Sequence, residues 1–251
     1  MNSSYCTCTT PATYSAYSEH WSRFKGSGKE LVFLSDISRN PDFDIGVTYT
    51  ESDVRKQLNF SGEVSKMHHW NTQGNRNIIW FYAHLRMLYY YIQYPTYDYY
   101  WFFDDDIRMD DWNEFLAGFD NVDHDFLAYF IFKSARVTSQ SDVPVIDDNT
   151  FSGQDWFSRF PGDGDILPEN THDLFGSFFP VVRYSREALI KLHQLHNDGY
   201  NGWHEGYVPT ILNAHNKKLS TIINPDGSSN YFDTKIANIK HKNITIEWKW
   251  I

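Results

Sequence analysis

Three consecutive carboxylates, Asp104, Asp105 and Asp106, follow directly on the aromatic run Tyr97-Asp98-Tyr99-Tyr100-Trp101-Phe102-Phe103. Side by side they repel one another, and a divalent cation is the simplest compensation. In an extended segment alternate side chains share a face, so Asp104 and Asp106 can approach one ion. Asp105 then faces the other way and can accept hydrogen bonds from a ribose or sugar hydroxyl. Hard oxygen ligands suit Mn²⁺ or Mg²⁺, which keep coordination positions for phosphate oxygens. The competing reading is a solvated acidic turn that caps the helix starting near Asp111.

Such a cluster does chemistry only if the fold presents it. The aromatic run reads as a central strand, so the carboxylates lie at a strand's carboxyl end, where open α/β sheets bind ligands. Before it, Ile78 to Ile92 is densely apolar. With His84 and Arg86 in its middle, and short of the roughly 20 residues that cross a bilayer, it reads as a buried helix of about Arg76 to Tyr94, stopped by Pro95. Strands are also predicted over Glu30–Ser35, Phe43–Thr48, Phe126–Phe132, Gly176–Val182 and Leu219–Ile223. Pro180 places the fourth of these at a bulge or a sheet edge. Helices are predicted over Glu51–Leu58, Asp111–Phe119, Ser185–His196 with Ser185 as N-cap, and Glu205–Asn216. The interval Thr138–Asn170 is rich in Pro and Gly and reads as a long functional loop. The alternation of strands and helices predicts an α/β fold with a mainly parallel sheet. Met1 to Gly28 reads as a polar leader packed on the surface.

The chain has 251 residues, 22 Lys and Arg against 32 Asp and Glu, and a formal charge of −10. Nucleic acid and anionic membrane are thereby disfavoured as main partners. With 41% hydrophobic and 18% aromatic residues, the core must be built largely from rings. Cys6 and Cys8 are too close in sequence to staple the fold and read as free thiols of a reducing compartment. No apolar run follows Met1, so no signal peptide is expected, and the expected location is cytoplasmic, with peripheral membrane association as an option. His68, His69, His193 and His196 read as packing or surface residues, and Tyr89 to Tyr91 as core.

Taken in order, Gly74-Asn75-Arg76-Asn77, the buried helix and the run from Tyr97 through Asp106 to Ile107 resemble the nucleotide-sugar half of the GT-A glycosyltransferases with their Asp-x-Asp motif. Trp203-His204-Glu205-Gly206-Tyr207-Val208-Pro209-Thr210 resembles the acceptor half of an uncharacterised glycosyltransferase-like group. The resemblance covers about Glu30 to His241. It implies one GT-A-like α/β/α sandwich over 1–251, with a donor half at about 30–135 and an acceptor half at about 136–241. It also implies transfer of a sugar from a nucleoside-diphosphate sugar to a glycan or other hydroxyl acceptor, with a divalent metal on the diphosphate.

Position by position, the resemblance puts Asp104 and Asp106 on the metal and Asp105 near the donor ribose or sugar. Gly74, Asn75, Arg76 and Asn77 match the donor-side turn, where amides and a guanidinium at a helix N-terminus favour phosphate. His241, between two lysines, is the candidate for a further metal ligand; otherwise it is an ordinary surface histidine. An inverting transfer needs a base for the acceptor hydroxyl proton. Glu205 is the candidate, with Trp203 and His204 beside the acceptor; the alternative is that Glu205 only caps its helix. Asp155, Asp163 and Asp165 are rival bases.

Two other classes compete. Haloacid-dehalogenase-like phosphatases also place Asp-x-Asp after an apolar strand, but here Ile107-Arg108 stands where such proteins have Gly-Thr or a similar pair, and about a hundred residues precede the motif. A non-catalytic carbohydrate- or calcium-binding protein would not need the Asn-Arg-Asn helix start, and the acidic run fails the EF-hand spacing.

Overall fold

The computed structural model describes residues 2–9, 22, 24, 29–38, 41–62, 82–104, 107–109, 111–134, 161, 165–169, 171–222 and 244–246. Strands β1 (Ser3–Thr9), β2 (Leu31–Asp36), β3 (Val47–Tyr49), β4 (Tyr99–Phe103), β6 (Phe126–Ser134), β7 (Leu174–Ser185) and β8 (Leu219–Thr221) form one sheet in the order β3-β2-β1-β4-β7-β6-β8. Every strand but β7 runs the same way; β7 is antiparallel to both β4 and β6. The short β5 (Ile107–Met109) pairs separately with β9 (Ile244–Ile246).

Period-2 alternation divides the sheet residues between two cores. Tyr100 and Phe102 of β4 point into one, with Cys6, Leu34, Val182 and Tyr184, under the helices α1 (Glu51–Gln57), α2 (Ala83–Gln93), α4 (Arg186–Asn197) and α5 (His204–Ala214). Trp101 and Phe103 point into the other, with Phe24 and with Trp112, Phe115 and Leu116 of α3 (Trp112–Ala117). Helices thus cover both faces, the predicted α/β/α layering. The rings interlock edge to face: Phe24 on Trp112 at 4.9 Å, Phe103 on Trp112 at 5.1 Å and Trp101 on Phe119 at 5.0 Å between centroids.

The helix starts are local chemistry. Thr50 and Asp53 make a reciprocal capping box on α1, the Asp111 carboxylate accepts from Glu114 N–H at 2.9 Å, and Ser185 Oγ accepts from Ala188 N–H at 3.1 Å.

One expectation is corrected. The polar leader is not a surface appendage where it is described: β1 sits inside the sheet between β2 and β4, with Cys6 a buried free thiol. Ser and Thr are tolerated there because their hydroxyls bond inside the fold, Ser4 Oγ with Tyr90 Oη at 2.8 Å and Thr7 Oγ1 to Phe103 O at 3.1 Å. Of the two positions expected for Pro180, a bulge or a sheet edge, the structure has the first, since β7 is an interior strand. Pro180 sits at a bulge, where the pairing steps from Ala128↔Val182 to Phe130↔Phe178, so the ladder is already interrupted where proline lacks a donor.

Candidate functional site

The chain lays down β1, moves outward through β2 to β3, and then returns to place β4 on the other side of β1. The carboxyl ends of β1 and β4 therefore flank the point where the strand order reverses, the position at which open α/β sheets form a crevice. Asp104 is the first residue past β4. Its N–H donates to Pro180 O at 2.8 Å, so the β7 bulge fixes the backbone that carries the carboxylate.

Strand β4 ends at Phe103. Ile107 N–H donates back to Asp104 O at 3.2 Å. Asp105 and Asp106 lie outside the described residues, as do Gly74, Asn75, Arg76, Asn77, His241, Asp155 and Asp163. The register of β5 with β9 brings Ile246 opposite Ile107 and Ile244 opposite Met109, so residues close behind His241 in sequence run beside the chain that follows the aspartates.

The partner of Asp104 is Arg86 of α2, whose Nη2 lies 3.5 Å from Oδ1. The guanidinium side chain is 13% exposed and the carboxylate 44%, so the cation is held by the fold while the anion faces outward. The positive charge of Arg86 also acts on Tyr184, whose phenol burial nevertheless holds far above its ordinary range. Composition patterning missed this residue as a site, yet it left a signal: a lone arginine inside an otherwise buried apolar helix needs an anion or a carbonyl to face.

The second half of the site is the start of α5, on the same side of the sheet. Phe179, next to Pro180, packs edge-on against the His204 ring at 4.7 Å, which joins Asp104 and His204 through two adjacent residues of β7. Glu205, in the first turn, is 4% exposed. Its carbonyl would ordinarily receive the N–H of residue 209, but that residue is Pro209; Ser177 Oγ of β7 donates to it instead at 3.0 Å. One turn later Thr210 Oγ1 bonds both the N–H and the carbonyl of Phe175. The helix is thereby fastened to β7 by hydroxyls. Trp203 is 7% exposed and packed into the core, whereas His204 is half-buried.

The entry to α5 is held from outside. Trp203 is the N-cap and makes no side-chain cap bond of its own; the Asp165 carboxylate accepts its N–H at 2.9 Å. Ile166 and Asn201 exchange both backbone hydrogen bonds, at 2.6 and 3.0 Å. Asp165, a rival base on sequence grounds, is thus engaged with the helix entry. Among the described residues no group of three His, Cys, Asp or Glu side chains could hold a metal ion, and of the three expected ligands only Asp104 is described. Asp104 fits the role as far as one residue can: it is a hard oxygen donor, partly exposed, at the strand end.

No family model matches the chain, and no curated protein matches it. Among solved structures it is similar to the galactosyltransferase LgtC in complex with donor and acceptor sugar analogs, at 12% identity and a TM-score of 0.42, over 89% of this chain and 73% of that one. It is also similar to the mannosyltransferase Ktr4p from S. cerevisiae, at 11% identity and a TM-score of 0.43, over 88% of this chain and 68% of that one.

Proposed function

We propose that the protein transfers a sugar from a nucleoside-diphosphate sugar to a hydroxyl acceptor such as a glycan, with Mn²⁺ or Mg²⁺ on the diphosphate. The observation that carries this reading is the position of Asp104, at the carboxyl end of β4 beside the strand-order reversal, with Arg86 behind it. The resemblance of the sequence to GT-A glycosyltransferases supplies the reaction class.

Asp104, Asp106 and His241 are the assigned metal ligands, and the bound ion supplies positive charge for the leaving diphosphate. Asp105 and the segment Gly74 to Asn77 are assigned to the donor's sugar and phosphates. On the acceptor side, Glu205 takes the hydroxyl proton while the acceptor oxygen bonds to the anomeric carbon and the nucleoside diphosphate departs with the electrons of the broken bond. His204 lies beside the acceptor, with Trp203 packed behind it. Ser177 and the Asp165 clamp keep the first turn of α5 in place, which limits loss of alignment during transfer.

The test is incubation with a panel of nucleotide sugars, with and without Mn²⁺, for the wild type and Asp104→Ala. Metal-dependent donor hydrolysis or transfer that Asp104→Ala loses while remaining folded is expected. Phosphate release from small phosphoesters, or sugar binding with no turnover, would replace the reading with phosphatase or binding-protein function.

A further inference from the structure

Behind the α5 entry lies a histidine that the proposed reaction does not use. His84 of α2 is 2% exposed, and its Nδ1 has no hydrogen-bond partner among the described residues. Its ring packs on Tyr207 of α5 at 5.2 Å and on Tyr82 at 6.2 Å, and the Asn201 side chain is its polar partner. Asn201 is the residue that the Ile166 backbone clamps, and its Oδ1 also accepts Gly202 N–H at 2.9 Å. One side of the Asn201-Gly202-Trp203 entry is therefore held by Asp165 and Ile166, and the other rests on a neutral imidazole in the core.

We propose that His84 is an acid-sensitive latch: neutral, it lets α2 close on the Asn201–Trp203 entry, and protonated, it drives that entry and the first turn of α5 open. A charged imidazole in this position has one polar neighbour and aromatic walls, too little to replace its hydration. Ionisable groups on the surrounding elements include Tyr82 before α2, Arg86 on α2, Arg55 on α1, His193 and His196 on α4, His204, Glu205 and Tyr207 on α5, Tyr184 on β7, and Asp165 before β7. Of these, His204 and His196 are the ones whose charge opposes His84 protonation, and they add to the effect of burial, which holds the imidazole well below the usual histidine range. The opening relieves both, because only an opened entry lets water reach the ring. The latch stands on the folded chain alone and is independent of the glycosyl-transfer reading.

Hydrogen exchange tests it on the whole protein without any substrate. The amides of Asn201, Gly202, Trp203, Gly206 and Tyr207 each have a named acceptor in the closed state. After correction for the intrinsic pH dependence of exchange, their protection in the wild type should fall about tenfold or more between pH 7.5 and 5.5, ahead of β4 and β7. In His84→Gln, which stays neutral and can still bond Asn201, the fall should be under about threefold. An equal fall in both proteins, or none in the wild type, overturns the latch. If the variant does not fold, the wild type decides alone: loss of protection in these amides no earlier than in β4 and β7, or titration of the His84 ring near its ordinary value with protection unchanged, overturns it.

Discussion

At the residue scale, the Arg86–Asp104 pair sets a sign that can be measured. A guanidinium 3.5 Å from Oδ1 attracts the same carboxylate that a divalent cation would use. Across a partly exposed pair at that distance, Coulomb's law in water gives about 1 kcal/mol, or roughly fivefold in an equilibrium constant. Arg86→Met should therefore raise Mn²⁺ affinity in the absence of nucleotide by up to about fivefold, read by calorimetry at low salt. Unchanged or weaker binding would separate Asp104 from the metal. Glu205 is tested by kinetics. Glu205→Gln keeps size and most hydrogen bonding but cannot take up the acceptor proton, so it should lower kcat by roughly 10²- to 10⁴-fold with donor affinity near wild type. A residue that merely favours the helix dipole would instead change stability by under about 1 kcal/mol and leave kcat within about threefold.

At the scale of elements, α5 is informative because a helix-breaking residue sits inside it and the strand beneath makes good the loss. Ser177→Ala should strand the Glu205 carbonyl in a buried position and cost about 1–3 kcal/mol. Pro209→Ala restores an N–H able to reach that carbonyl, so Ser177→Ala should cost clearly less in the Pro209→Ala background. A double-mutant cycle by urea denaturation reads the difference, and additive costs would show that the two residues do not share the carbonyl. The β7 bulge follows similar logic. Proline is excluded from an interior strand only where a donor is needed, and at Pro180 the pairing with β6 is already broken while its carbonyl still serves Asp104.

For the whole molecule, the buried histidines make stability depend on acid. Burial lowers the imidazoles of His84, His193, His196 and His215 below the ordinary value of about 6.5. A group with a depressed folded-state pKa takes up its proton more readily once unfolded. Its stabilising effect is full above about pH 6.5 and is lost as pH falls from there toward the folded-state value. The two buried rings, His84 and His196, each contribute a slope of at most about 1.4 kcal/mol per pH unit in that window, and the half-exposed, solvent-screened His193 and His215 contribute less. The midpoint of urea unfolding should therefore drop between pH 7 and 5, and His84→Gln should flatten part of that slope. A midpoint constant over that range would contradict neutral burial of these rings. His196 bears on a second place as well: its Nε2 bonds Leu58 O at 2.8 Å, at the end of α1.

Period and capping determined most of the elements in advance. The aromatic strand, the Ser185-capped helix and the buried helix before Pro95 were legible because alternation, an N-cap hydroxyl and dense apolar spacing act within a few residues. That Asp104 follows directly on the strand end was legible for the same reason. The polar Ser-Ser-Tyr-Cys-Thr-Cys-Thr segment gave no such signal, because its burial depends on a tyrosine 86 residues away and on the carbonyl of Phe103. Without that strand the reversal of strand order beside Asp104 could not be foreseen. Arg86 was visible in the sequence as a charge in an apolar helix, but only packing of α2 over the end of β4 decides which anion it meets. Asp165 was visible as one acid among several; only the fold gives it to Trp203 N–H and so engages it at the helix entry. Local chemistry is written in neighbouring residues, whereas partners across the sheet are chosen by burial, which no short window of sequence contains.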